Sequence, residues 1–149
     1  MIRTFSLVYG IVFLLVGILG FIPGLVQPAA HLADLRVDAN HGMLLGLFPV
    51  NLLHNLVHIA IGIWGIVAAR TLEASRTYGK SMAVFYGLLT VLGLIPATST
   101  LFGLVPIHGN DVWLHAAAAL IAAYFGWVAT PTPSDREAPG EIFHRRARG

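Results

Sequence analysis

The chain has 149 residues, 56% of them hydrophobic, only 11% charged, and no cysteine. Soluble domains carry about 25% charged residues, so this composition excludes an ordinary soluble globule and predicts an integral membrane protein. The missing cysteines exclude disulfides, zinc–thiolate sites and a cysteine nucleophile. The formal charge of +2 and a pI near 9.4 do not imply a nucleic-acid partner, because in an apolar chain the placement of Lys and Arg matters more than their sum.

The length fits one domain with about four spanning helices of roughly 20 residues each. The expected fold is an all-α four-helix transmembrane bundle over residues 1–130, followed by a mobile, basic cytoplasmic tail over residues 131–149. Arg3 precedes the first apolar run, Phe5 to Val26. That run exceeds the apolar core of a signal peptide, and the only nearby small-residue site contains Pro28, so a retained first helix is expected. Gly10, Gly17 and Gly20 let a neighbouring helix approach closely.

A loop over residues 27–42 follows, and the second span is expected from Met43 to Ala69, with Pro49 near its start. Arg70 to Lys80 reads as a hydrophilic link, Met82 to Pro96 as the third span, and Asp111 to Ala129 as the fourth. Thr130-Pro131-Thr132-Pro133 ends it. Arg3, Arg70, Arg76, Lys80, Arg136, Arg145, Arg146 and Arg148 fall on one side of this topology and only Arg36 on the other. The positive-inside rule therefore places both termini in the cytoplasm of a bacterial inner membrane.

Gly46-Leu47-Phe48-Pro49-Val50 recurs as Gly103-Leu104-Val105-Pro106-Ile107, a shift of 103 − 46 = 57 residues. The same shift lays His115 on His58 and Asp111 on His54. The first and third spans share a weaker echo, Tyr9-Gly10 against Tyr86-Gly87. The chain thus reads as two similar helical hairpins; chance likeness between compositionally poor apolar segments is the alternative.

The second span carries Asn51, His54, Asn55 and His58 at i, i+3, i+4 and i+7, one face of a helix. The fourth carries Asp111 and His115 at i, i+4, followed by Ala118, Ala122 and Gly126. Both faces are polar toward the outer end and small further in, so the two are expected to meet, touching in the inner half. Ionisable groups in a spanning helix cost up to about 2.5–3.5 kcal/mol at mid-membrane, and that cost usually marks a site.

Three roles fit these residues. The first reading is a structural or accessory membrane protein, its buried His/Asn/Asp cluster holding the helices in register through interhelical hydrogen bonds. In that reading Asn110 or Asp111 caps the fourth helix. The runner-up binds a transition metal through His54, His58, Asp111 and His115, with Asn51, Asn55 and Asn110 supporting them, or a haem between His58 and His115. The third is a proton or small-molecule site. No nucleophile–base pair is evident, so no catalytic residue is expected. His31, His41, His108 and His144 are expected to be solvated and inert. The partner expected is the lipid bilayer; the Gly10/Gly17 face leaves room for a second copy of the chain, or for another, unidentified membrane protein.

Three phrases, residues 9–21, 46–58 and 109–115, resemble a bacterial membrane family catalogued as domain of unknown function 4383. The resemblance spans about Arg3 to Ala129. It implies a four-helix inner-membrane protein and implies no activity.

Overall fold

The computed structural model describes residues 1–29 and 35–136. The described chain is mostly helical: α1 (Ile2–Leu19), α2 (Leu52–Ala68), α3 (Leu72–Leu94), α4 (Asn110–Ala123) and a short α5 (Pro133–Arg136). Strands β1 (Val26–Gln27), β2 (Gly42–Leu44) and β3 (Phe48–Val50) form an antiparallel sheet in that order. Two stretches, Ile2–Leu19 and Asn110–Val128, are long and apolar enough to cross a membrane, and α2 is a shorter apolar helix. His31, Asp34, His144 and the three tail arginines Arg145, Arg146 and Arg148 lie outside the described residues.

Two helix starts differ from the sequence-based expectation. The second helix begins at Leu52 rather than near Met43, because residues 42–50 pair as a hairpin with Met43 opposite Pro49. A proline in a strand lacks a ladder donor but tolerates a short, edge-like β3. The link expected over Arg70–Lys80 shrinks to a tight turn. Thr71 accepts a hydrogen bond from the Ala74 amide (3.1 Å), and Glu73 sits in the first turn of α3. A side-chain cap and an acid near the positive helix end start the helix early, charged residues included.

The two turns before the repeated proline share a backbone form. Leu45 and Gly46 have φ of 54° and 71°; Phe102 and Gly103, 57 residues on, have 58° and 90°. In both, an amide closes the turn, from Leu47 to the Leu44 carbonyl and from Leu104 to the Leu101 carbonyl. Two consecutive positive φ values define this tight turn, and glycine fills the second position each time.

The helices pair as α1 with α2 and α3 with α4. A side chain on Gly10 would lie 2.7 Å from the Gly62 carbonyl oxygen, and one on Gly17 2.7 Å from that of Asn55. A side chain on Gly79 would lie 3.1 Å from the Gly126 amide. The small residues therefore serve contacts within each hairpin. The expectation that the small faces of α2 and α4 touch each other is not met. The Gly10/Gly17 face, expected to be open to a second copy, is covered by α2. Aromatic rings join the hairpins: Phe5 stacks on Phe125 with centroids 4.5 Å apart, and Phe13 stacks on Tyr86 at 5.1 Å.

One end of the bundle gathers the basic residues. Arg3 Nε donates to the Ala69 carbonyl at the end of α2 (2.9 Å). Arg76 Nη2 donates to the Ala129 carbonyl past α4 (2.8 Å). Each cation satisfies the carbonyl end of a helix, where the macrodipole is negative. Asp135 accepts hydrogen bonds from the Met1 amino group, the Arg3 amide and Thr132. Burial alone would raise its pKa; the bonds from Thr132, the amino terminus and Arg3 outweigh burial and hold the carboxyl below the usual range. The first residues of the expected mobile tail are thus fastened to the start of α1.

Beside an aromatic and aliphatic core, Ser6, Asn51, His54, Asn55, His58, Ser75, Asp111 and His115 are buried, while Val8, Leu15, Ile63, Leu88, Leu120 and Trp127 are exposed.

Candidate metal centre

Asn51 fixes the entry to the site. It precedes α2 with an extended backbone, and its side-chain oxygen accepts from the His54 amide (2.9 Å). Its amide nitrogen donates to the carbonyls of Val37 (2.8 Å) and Leu104 (2.7 Å). One side chain thus starts the helix and ties two outer loops to it. The Val37 loop is held further by the Gly103 carbonyl, which accepts from the Arg36 and Val37 amides. Asn51 therefore acts as cap and clasp, with no described bond to a histidine ring.

His54 and His58 follow on successive turns of α2, and their rings meet edge to face at 4.5 Å. His115, on α4, lies 6.2 Å from His54 between ring centroids. One nitrogen from each of His54, His58 and His115 falls within 4.8 Å of the others. His54 and His58 are 4% exposed, and Asp111 and His115 are 2% exposed. α2 and α4 therefore meet through imidazoles.

The hydrogen bonds divide the three rings. His54 Nδ1 lies 3.1 Å from the Pro49 carbonyl; a carbonyl only accepts, so Nδ1 carries the proton and Nε2 keeps its lone pair. His54 Nε2 is 3.8 Å from Asp111 Oδ2. His58 Nδ1, both His115 nitrogens and Asp111 Oδ2 are buried and have no hydrogen-bond partner among the described residues. Buried polar atoms normally find partners, and these four belong to residues grouped around His54.

The other expected residues are placed differently. Asp111 approaches His54 across the helices rather than His115 along its own. Neither Asn110 nor Asp111 caps α4; Gly109, with φ of 65°, holds that position. Asn110 is exposed and donates to the Leu47 carbonyl (3.2 Å). Asn55 donates to the Gly20 carbonyl (2.9 Å) and braces the end of α1. His108, expected to be solvated, has a buried Nε2 with no partner among the described residues.

Sequence reasoning missed the walls. Phe13 sets its edge on His58 at 5.2 Å, and Tyr86 lies against His115 at 5.1 Å. The signal was present in α3, where the buried residues Tyr78, Met82, Tyr86, Leu89 and Gly93 recur at helical spacing. A cavity of about 50 Å³ opens beside the imidazoles. It exceeds the roughly 10–15 Å³ that one water requires on this measure and is far too small for a haem macrocycle.

Three imidazole nitrogens about 2.1 Å from a tetrahedral ion lie roughly 3.4 Å apart. The present separations, up to 4.8 Å, are within about 1.5 Å of that, a change within reach of side-chain rotation. Three neutral imidazoles with one carboxylate nearby suit zinc, copper, iron or nickel over calcium or magnesium.

A family model described as Domain of unknown function (DUF4383) matches residues 3–128. No curated protein and no solved structure matches the chain.

The Asn51 clasp yields a direct expectation. Asn51→Ala removes a helix cap worth about 1 kcal/mol and strips two loop carbonyls of a donor at about 1 kcal/mol each. Unfolding of the purified variant should show a loss of about 3 kcal/mol. A loss below about 1 kcal/mol would mean that Asn51 does not hold the outer loops.

Proposed function

We propose that this chain, which belongs to the DUF4383 family, is a four-helix protein of the bacterial inner membrane that holds one transition-metal ion between its two hairpins. The observation that carries the reading is that one nitrogen from each of His54, His58 and His115 lies within 4.8 Å of the others, in a buried group where His58 Nδ1 and both His115 nitrogens lack a partner among the described residues. His54 Nε2, His58 and His115 are the ligands. Asp111, 3.8 Å from His54 Nε2, supplies the compensating negative charge, because an ion far from water needs a partner charge close by. The Pro49 carbonyl orients His54, the usual arrangement for a ligating histidine. A bis-histidine haem would need a far larger cavity than the roughly 50 Å³ beside these rings.

The membrane part of the reading rests on the exposed apolar side chains. An exposed belt of Leu, Val, Ile and Trp on all four helices is far more than a soluble monomer leaves open. At 1.5 Å per residue, α2 and α3 span roughly 26 and 35 Å, bracketing a hydrocarbon core of about 30 Å. Arg3, Arg70, Arg76 and Lys80 mark the cytoplasmic end, and the sheet and metal centre lie toward the outer face. The common turn at Leu45–Gly46 and Phe102–Gly103 supports a duplication of one hairpin. Catalysis forms no part of this reading.

Detergent-purified protein should bind one Co²⁺ per chain with the visible absorption of a low-symmetry, four-coordinate site. His58→Ala and His115→Ala should each weaken binding at least 100-fold. A wild-type chain that binds no more Co²⁺ or Zn²⁺ than the triple variant lacking His54, His58 and His115 would overturn the metal assignment.

The chain has no cysteine, so single introduced thiols report topology cleanly. A membrane-impermeant maleimide should label Asp38→Cys in intact spheroplasts and Glu73→Cys only after the membrane is opened. Equal labelling of both from outside would contradict the orientation.

A further inference from the structure

Resting on the three-histidine reading, the cavity beside the imidazoles points to what the ion would receive. It is lined by His54, His58 and His115 on one side, and by side chains such as Val57, Leu89, Leu101, Val105 and Ile107 on the other. Apart from the imidazoles and Tyr86, the named lining side chains are hydrocarbon, so a molecule entering it meets little that replaces a tightly held hydration shell. Its volume of about 50 Å³ holds a molecule of two or three heavy atoms beside the ligand nitrogens and excludes an organic substrate.

One polar group completes the wall. Tyr86 is fully buried at 0% exposure, lines the cavity, and lies 5.1 Å from His115 between ring centroids. Its hydroxyl has no hydrogen-bond partner among the described residues, although buried tyrosine hydroxyls usually find one. The two neighbouring tyrosines do find carbonyl acceptors, Tyr9 at Ala118 and Tyr78 at Ile61. Tyr86 is left with a proton to donate and no protein atom to receive it.

We infer that the open position of the metal centre binds an uncharged diatomic molecule of the dioxygen, nitric oxide or carbon monoxide class, with the Tyr86 hydroxyl donating a hydrogen bond to it. An apolar pocket admits such a molecule without stripping a tightly held hydration shell. Three imidazoles leave one coordination position free on a four-coordinate ion. The single donor at the wall gives the bound molecule an orientation.

Carbon monoxide on Cu(I)-loaded full-length protein is the probe. The expected result is one carbon monoxide per copper, reported by one infrared C–O stretch. Tyr86→Phe, which removes only the hydroxyl, should shift that stretch with copper stoichiometry unchanged. Leu89→Phe, which fills the cavity, should weaken carbon monoxide binding at least tenfold with copper retained. Copper-loaded protein that takes up no carbon monoxide, or a Tyr86→Phe stretch identical to wild type, would overturn the inference. So would a protein that holds Co²⁺ but not Cu(I). A protein that binds neither ion fails one step earlier, at the three-histidine reading.

Discussion

The constraint that shapes this molecule is that a polar atom sealed among apolar side chains must find a partner or pay its full desolvation cost. The chain meets that constraint almost everywhere by pointing side chains at backbone. Asn51 covers the carbonyls of Val37 and Leu104, Asn55 that of Gly20, Tyr9 that of Ala118, and Tyr78 that of Ile61. Arg3 and Arg76 do the same for the two helix ends at the basic side. Against that thoroughness, and apart from Asn55 Oδ1 and His108 Nε2, the exceptions among the described residues are the bare nitrogens of His58 and His115 and the bare Asp111 oxygen. They gather in one place, next to a cavity, with a tyrosine hydroxyl in the same condition.

The bundle keeps that place open by confining tight packing to other surfaces. Glycines bring α1 against α2 and α3 against α4 at backbone contact, the close approach that small residues permit in lipid. Between the hairpins the contacts are made by larger rings, Phe5 on Phe125 and Phe13 on Tyr86. Rings hold the hairpins further apart than glycines hold their helices, and the gap between α2 and α4 beside the sheet is filled by imidazoles. The sheet and the Asn51 clasp then roof it, so Leu101, Val105 and Ile107 reach the cavity from the loop before α4.

Much of this was legible in the residues. The one-face spacing of His54 and His58, and the 57-residue shift onto Asp111 and His115, named the side chains that come together. The helical class followed from composition and run length. The sheet was not legible, because Gly42–Val50 is as apolar as the helix that follows it, and periodicity cannot separate a short strand from a helix start. The partners of the glycines were not legible either. Small residues announce a close contact without naming the helix that makes it, and the assumption that α2 and α4 share their small faces failed on that point. Asn51 looked like one member of a polar stripe; only its extended backbone shows it to be the cap. Tyr86 carried a periodic signal in α3, but nothing in the sequence distinguishes a tyrosine with a satisfied hydroxyl from one without.

The central claim is that three imidazoles from two hairpins close on a single ion. X-ray absorption at the zinc edge of Zn²⁺-loaded protein tests it most directly. The account predicts about three imidazole nitrogens at roughly 2.0–2.1 Å, with the outer-shell scattering of intact rings. A spectrum of oxygen neighbours alone, without imidazole scattering, would contradict it.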